Sequence, residues 1–281
     1  MSADEAGEDG IVLDQQIDMA FEVGAHVLSL AARPTRPPLV SPVMSVQLFV
    51  TCRVDGFAPQ VGRACVEVLE RLGETVEFPF DQTCCGQPAY NAGHRDDARA
   101  MAAHTVDVLD ATEGPIVVPS GSCADMMVHQ FPLLLNDTTR AEAARRVAER
   151  TRELTQFLVD DLGAAHGGRG SGTVAVHRSC HGLRGLGLSG QAESLVDGVE
   201  GVERCELDGA EECCGFGGLF SIELPEVSTA ILDTKIEKIV ASGADVVVGG
   251  DVSCLMHIGG GLHRRGLSIE TRHVAELLVD E

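Results

Sequence analysis

The sequence predicts an α/β protein built from two pseudo-repeated parallel-sheet units that face each other. Three observations carry this. From residue 44 onward, short apolar runs alternate with longer helix-patterned stretches, the pattern of a parallel sheet covered by helices. A Gly-rich stretch over 163–172 interrupts the alternation, which then starts again. Eight of the ten cysteines recur in the same order on either side of that break.

Residues 1–43 read differently from the rest. Asp4, Glu5, Glu8 and Asp9 lie in a Gly-containing opening, a short amphipathic helix fits 17–31, and Pro34, Pro37, Pro38 and Pro42 then break regular structure. This stretch is expected to be a peripheral extension, with Met44 as the functional start; a helix packed on the surface is the alternative. A strand follows over 46–51. The helix expected over 59–72 places Val61, Cys65, Val68, Leu69 and Leu72 on one face. Residues 75–80 read as strand, 91–111 as helix and 115–119 as a buried strand. The stretch 140–162, rich in Ala, Glu and Arg, reads as helix throughout. After the Gly-rich linker come a strand at 173–177, a helix at 190–199 and a strand at 202–207. A helix at 226–242 and a strand at 245–249 complete the second unit. The expected domains are 44–165 and 166–281.

Composition narrows the function. The chain carries 43 acidic against 21 basic residues, a net charge of −22, which repels phosphate backbones and argues against nucleic acid as a partner. Apolar residues make up 44%, enough for a real core, and no run approaches the ~18 apolar residues of a membrane span. Only Lys235 and Lys238 are lysines; the remaining basic residues are arginines. Acid excess with so little lysine suggests a salt-rich cytoplasm, although a GC-rich coding sequence favours arginine as well. The N-terminus is acidic where a secretory signal would be basic, so the expected location is cytoplasmic. In a reducing compartment, cysteine clusters point to metal or redox chemistry rather than disulfides.

The cysteines carry most of the information. Cys52 ends a strand and is followed 32 positions later by Cys84-Cys85-Gly86; Cys180 ends a strand and is followed 33 positions later by Cys213-Cys214-Gly215. Cys123 and Cys254 complete the two sets, and every matching element is displaced by 128 to 131 residues. Each set falls where a parallel sheet binds its ligands, beyond the C-terminal ends of strands. Glycine after each pair lets the backbone approach a bulky inorganic centre and aim amides at its sulfurs. Four thiolates suit an iron–sulfur cluster or a tetrahedral zinc. Adjacent cysteines serve two irons of one cluster more easily than one zinc, and the paired C-x₂₋₄-C knuckles of zinc sites do not occur. The geometry therefore favours iron–sulfur; the expected cofactor is a [4Fe-4S] cluster, one or two in number, with zinc in one half as the alternative. Cys65 and Cys205 have no counterpart in the other half and read as core residues. His177 and His181 bracket Cys180 and His257 follows Cys254; each suits a hydrogen bond to a cluster, a proton shuttle or a plain structural role. Tyr90 reads as a core residue or a lid over the first set. Arg264 and Arg265 read as solvated surface charges, and no strand is followed by a dinucleotide fingerprint.

The motifs Leu48-Phe49-Val50-Thr51-Cys52, Thr83-Cys84-Cys85-Gly86-Gln87-Pro88 and Pro119-Ser120-Gly121-Ser122-Cys123 resemble the cysteine-rich (CCG) domain family typified by the CCG-bearing subunit of heterodisulfide reductase. Ser179-Cys180-His181, Cys213-Cys214-Gly215-Phe216-Gly217-Gly218 and Ser253-Cys254-Leu255-Met256 repeat the likeness. The chain is most similar to the lactate-utilization branch of that family, over about 44–278. The resemblance implies two Rossmann-like CCG domains, with Cys52, Cys84, Cys85, Cys123, Cys180, Cys213, Cys214 and Cys254 as metal and cofactor ligands. It further implies an iron–sulfur subunit of a system that oxidises L-lactate to pyruvate. Related subunits carry a ferredoxin-like C-x₂-C-x₂-C-x₃-C-P segment that does not occur here, so a ferredoxin-like iron–sulfur subunit and a third lactate-utilization subunit are the implied partners. A zinc- or thiol-based structural or assembly subunit, or a subunit of another 2-hydroxyacid or heterodisulfide-type oxidoreductase, remains the alternative. One departure stands out: the full family motif ends in C-x-x-C, and Ser120 and Asp251 replace the first cysteine of that pair, leaving four thiols per half.

Overall fold

The computed structural model describes residues 45–164 and 167–279; the expected N-terminal extension and its helix lie outside them. The first unit holds β1 (Val46–Leu48), β2 (Val76–Glu77), β3 (Ile116–Val118) and β4 (Thr151–Glu153). The second holds β5 (Arg169–Val176), β6 (Glu200–Cys205), β7 (Val246–Gly249) and β8 (Glu270–His273). Both sheets are entirely parallel, and their orders are the same, β2-β1-β3-β4 and β6-β5-β7-β8. The predicted α/β architecture of two repeated parallel sheets is therefore the observed one.

Helices cover both faces of each sheet. On the inner side the helix Pro59–Arg71 packs against Val274–Val279, and Gln191–Asp197 packs against the helical turns at 154–161. These are equivalent pairs exchanged between the units. They bury one continuous core in which Val46, Leu48 and Val68 meet Val174, Val176 and Leu277. The outer faces have separate cores, one around Phe49, Phe131 and Val147, the other around Leu232, Ile236 and Ile258. A strand buried on both faces must be apolar throughout, which is why Ile116-Val117-Val118 and Val246-Val247-Val248 read as unbroken runs.

The two units also meet at the C-terminal edges of their sheets. Ser120 and Asp251 occupy the same position of the repeat, 131 residues apart. They form an antiparallel bridge with each other. A contact between equivalent positions places them on the pseudo-two-fold axis.

The structure corrects the expected helix over 140–162. Ala141–Arg150 is helical, but Thr151–Glu153 extends as the edge strand β4 beside β3, and helix resumes at Leu154. The open sheet edge overrides local propensity, and Glu153 stops the strand by capping the next helix through Thr155 N–H at 2.7 Å and Gln156 N–H at 3.2 Å. The helix expected over 91–111 is two, Gln87–Asn91 and Arg95–Asp110, parted at Gly93 with φ 83°. The strand expected over 75–80 pairs only at Val76–Glu77. Helices at Gly121–Asp125 and Val252–Arg264, and the strand β8, arise where no element was predicted.

Glu153 is buried where the units meet, with its Oε1 unpartnered and facing Gly250 of the second unit. Burial pushes its carboxyl up to about 7. A raised acid pKa means the unfolded chain releases its proton first, so this group lowers stability as pH rises from about 4.5 to about 7. His177 and His273, held near 4 by burial, act in the opposite sense, weakening the fold as pH falls below 6.5. Glu153→Gln keeps an acceptor for the cap and removes the ionisation. Urea unfolding of variant and wild type is expected to match at pH 4.5 and to diverge by pH 8, the variant gaining up to roughly 3 kcal/mol. A pH-independent difference would show that Glu153 does not titrate in this window.

Candidate metal centres

Each functional cysteine is set by a local device. Thr51 caps the helix Cys52–Phe57 by accepting from Val54 N–H at 3.3 Å, which turns the chain so that Cys52 opens the helix beyond β1. Ser179 does the same before Cys180, accepting from Gly182 N–H at 3.1 Å. Ser120 accepts from Cys123 N–H at 3.4 Å, and Asp251 from Ser253 N–H at 3.1 Å, each capping the helix whose first turn carries the last cysteine of its set. The two residues that stand in place of the family's extra cysteine are thus helix caps. They also bond each other: Ser120 Oγ donates to Asp251 Oδ2 at 3.1 Å, and Ser122 N–H donates to the same oxygen at 3.0 Å.

The cysteine pairs lie on loops that turn through glycine. Gly86 has φ 81° and Gly215 φ 92°, a region that side chains strain to enter. Their N–H groups point back at the preceding sulfur, Gly86 to Cys84 Sγ at 3.5 Å and Gly215 to Cys213 Sγ at 3.3 Å. Both lysines of the chain fasten the second loop. Lys235, 1% exposed, donates to the Gly209 carbonyl at 2.6 Å, and Lys238 pairs with Glu212 at 2.7 Å and Asp208 at 3.3 Å.

The sulfurs of each set converge. Cys52 and Cys84 Sγ are 3.6 Å apart, Cys85 and Cys123 Sγ 3.2 Å, and Cys84 bonds Cys85 to close the chain of contacts. Cys180, Cys213, Cys214 and Cys254 repeat the same sequence of contacts. Seven of the eight sulfur-bearing residues line a single cleft between the units, and Cys84 adjoins it through Cys52. The thiols cannot all ionise together. Cys84 and Cys213 are pushed far down by hydrogen bonds from Cys52 and Cys180 respectively, while Cys52, Cys85, Cys180 and Cys214 are pushed up, chiefly by those same sulfur contacts. Four crowded sulfurs that resist ionising together are a donor set suited to a cation, which neutralises the thiolates it gathers. The residues present therefore fit a metal cluster in each half.

Other predicted residues separate clearly. Cys65 is fully buried in the inner core, where burial pushes its thiol up, and Cys205 ends β6 against the second outer core; neither lines the cleft. Tyr90 packs against the first outer core, donates to Gln130 Oε1 at 2.6 Å and lies under Arg95, so it is no lid. His257 sits against Phe216 with its Nε2 3.4 Å from Ser228 Oγ. Arg265 pairs with Asp233 at 2.6 Å. His181 lines the cleft; its Nδ1 lies 2.6 Å from Asp125 Oδ2 of the other unit, which raises its pKa. His177 is buried beside the second set.

Sequence reasoning missed a pair of crossing contacts. Arg53, after Cys52, lies 5.4 Å from the Phe216 ring, two residues beyond Cys214. His181, after Cys180, reaches to 3.5 Å from Gln87, two residues beyond Cys85. Aligning the two halves on their cysteines already shows these as equivalent positions, but not that they cross the axis.

The profile of the cysteine-rich domain family (CCG) matches residues 46–128 and 174–259. Among curated relatives, lactate utilization protein A of Bacillus cytotoxicus is 44% identical over 237 residues, covering 84% of this chain and 98% of that protein. Lactate utilization protein A of an Exiguobacterium species is also 44% identical, over 240 residues, 83% of this chain and 96% of that protein. The fold resembles that of a hypothetical protein of Helicobacter pylori, with TM-score 0.55 and 10% identity; the likeness covers 92% of this chain and about half, 53%, of that one.

Gly215 provides a test of the loop geometry. A Cβ there would lie 2.5 Å from the Ser228 carbonyl, whereas one at Gly93, also at positive φ, would meet nothing within 4 Å. Gly93→Ala should therefore cost only the backbone strain, about 1 kcal/mol. Gly215→Ala adds a clash with backbone and should cost about 3 kcal/mol or more in denaturant unfolding. Equal losses would mean that the second loop is free to move.

Proposed function

The chain belongs to the cysteine-rich CCG domain family, and from that premise we propose that it is an iron–sulfur redox subunit of a multi-subunit system oxidising L-lactate to pyruvate. The observation that carries this reading is the convergence of two equivalent four-thiol sets on one cleft. The relatives named for lactate utilization, matched over nearly their whole length, support the substrate. Cys52, Cys84, Cys85 and Cys123 would hold one [4Fe-4S] cluster, and Cys180, Cys213, Cys214 and Cys254 a second. Bound there, such clusters supply one-electron transfer.

The protein's own groups have definite tasks in this reading. Gly86 and Gly215 N–H groups donate to sulfur and stabilise its negative charge. Arg53 beside the first set and Lys235 near the second offset part of that charge. His181, hydrogen-bonded to Asp125, holds a proton at the cleft. Cys52 and Cys213 are the most open thiols of their sets, so the cleft mouth is where electrons would pass to and from partners. Those partners are a ferredoxin-like iron–sulfur subunit and a third lactate-utilization subunit, in the cytoplasm. Among the described residues, no helix is long and apolar enough to cross a membrane.

Anaerobically purified protein is expected to be coloured and to contain iron and acid-labile sulfide. Cys84→Ala and Cys213→Ala should each lose about half of the iron, and Cys65→Ala none; equal iron in all three variants would sink the assignment. In a strain with no other lactate dehydrogenase, deletion of the gene should abolish growth on L-lactate and spare growth on glucose. Lactate oxidation by the purified single chain would overturn the dependence on partners.

A further inference from the structure

Within a symmetric frame, the two centres differ at one buried position. Phe49 N–H donates to the Val117 carbonyl at 2.9 Å, and His177 N–H donates to the Val248 carbonyl at 2.8 Å. These are the same ladder bond in the two halves, offset by 128 and 131 residues, so Phe49 and His177 are equivalent positions at the strand ends below the cysteines. In the first half the fully buried Phe49 shares an apolar cluster with Cys85 and Cys123. In the second half a ring nitrogen of His177 and the sulfurs of Cys214 and Cys254, the equivalents of Cys85 and Cys123, all lie within 4.8 Å of one another.

His177 is 2% exposed, and neither ring nitrogen makes a hydrogen bond of good geometry. The Ala210 carbonyl lies near the ring and accepts from Arg178 N–H at 3.0 Å. An unpartnered buried polar group costs about 1–3 kcal/mol, and Phe49 shows that the fold accepts an apolar ring here.

We propose that His177 is a metal ligand of the second centre, taking one position otherwise held by a cysteine, so that the first centre is bound by four thiols and the second by three thiols and one imidazole. This rests on the proposed metal-binding role of the cysteine sets. Nitrogen ligation sets the two centres apart electronically, because a neutral imidazole donates less charge to a metal than a thiolate does.

The test uses full-length protein labelled with ¹⁵N-histidine or left unlabelled, and reconstituted anaerobically with iron and sulfide. Cys84→Ala isolates the second centre and Cys213→Ala the first. Pulsed EPR of the reduced centres should show a strongly coupled histidine nitrogen in Cys84→Ala that changes with the isotope, and none in Cys213→Ala. Adding His177→Phe to Cys84→Ala should abolish that coupling. If this double variant does not fold, the isotope comparison decides alone. If the second half takes zinc instead of iron, X-ray absorption at the zinc edge should show one nitrogen ligand in the parent protein. Iron or zinc bound with sulfur ligands only in the second half overturns this inference and leaves the metal-binding role standing. Failure of both halves to bind either metal overturns both.

Discussion

The structure turns on the contact between Ser120 and Asp251. Parallel sheets gather their loops at one edge, but nothing in a single sheet requires that edge to meet another. The bridge between two equivalent residues imposes that meeting. Asp251 is buried, and its carboxylate is satisfied by three donors, Ser120 Oγ and the amides of Ser122 and Ser253. Two of these come from the other unit. A buried carboxylate deprived of such donors is costly, so the pairing holds the units in one register. The same residues cap the helices whose first turns carry Cys123 and Cys254, so the lock between units and the placement of two sulfurs share one set of hydrogen bonds. Packing leaves little slack around it: a Cβ at Gly121 would come within 2.8 Å of Ser179 Oγ, just before Cys180.

Duplication supplies the frame, and side chains at equivalent positions break its symmetry. Ser120 faces Asp251, Arg53 corresponds to His181, Gln87 to Phe216 and Phe49 to His177. Nearly every one of these differences lies at the cleft or beside a cysteine set. The first half meets its thiols with a fixed guanidinium and an apolar ring. The second meets them with two imidazoles and a buried ammonium. Two sheets of the same strand order thus carry different electrostatic environments around their thiols, and environment is what tunes a metal centre.

The surface obeys weaker rules. Arginines pair with carboxylates across the outer helices, as in Arg140–Asp107 at 2.7 Å and Arg146–Asp110 at 2.7 Å, but these groups are largely exposed and each pair contributes little. The net charge of −22 therefore bears on solubility and on the choice of partners rather than on the fold. Lys235 is different in kind. Its ammonium is enclosed by the loop that carries Cys213 and Cys214, a site suited to a compact point charge rather than a planar guanidinium.

Much of the protein was legible in its sequence. Apolar runs such as Ile116-Val117-Val118, Gly86 and Gly215 after cysteine pairs, and the constant spacing of the cysteines are covalent facts with local consequences. They determined the α/β class, the repeat and the two sets of four thiols. Other features depend on partners distant in the chain. Thr151–Glu153 is a strand because β3 offers it an edge, against the helical leaning of its neighbours. Ser120 and Asp251 look like lost cysteines until the two sheet edges meet. Arg53 finds Phe216, and His177 finds Cys214 and Cys254, only once the sheets have formed and closed on each other. Periodicity and spacing encode what a segment prefers; which side chains come within a few ångströms across a pseudo-two-fold axis is set by packing, and that is known only when the whole chain is folded.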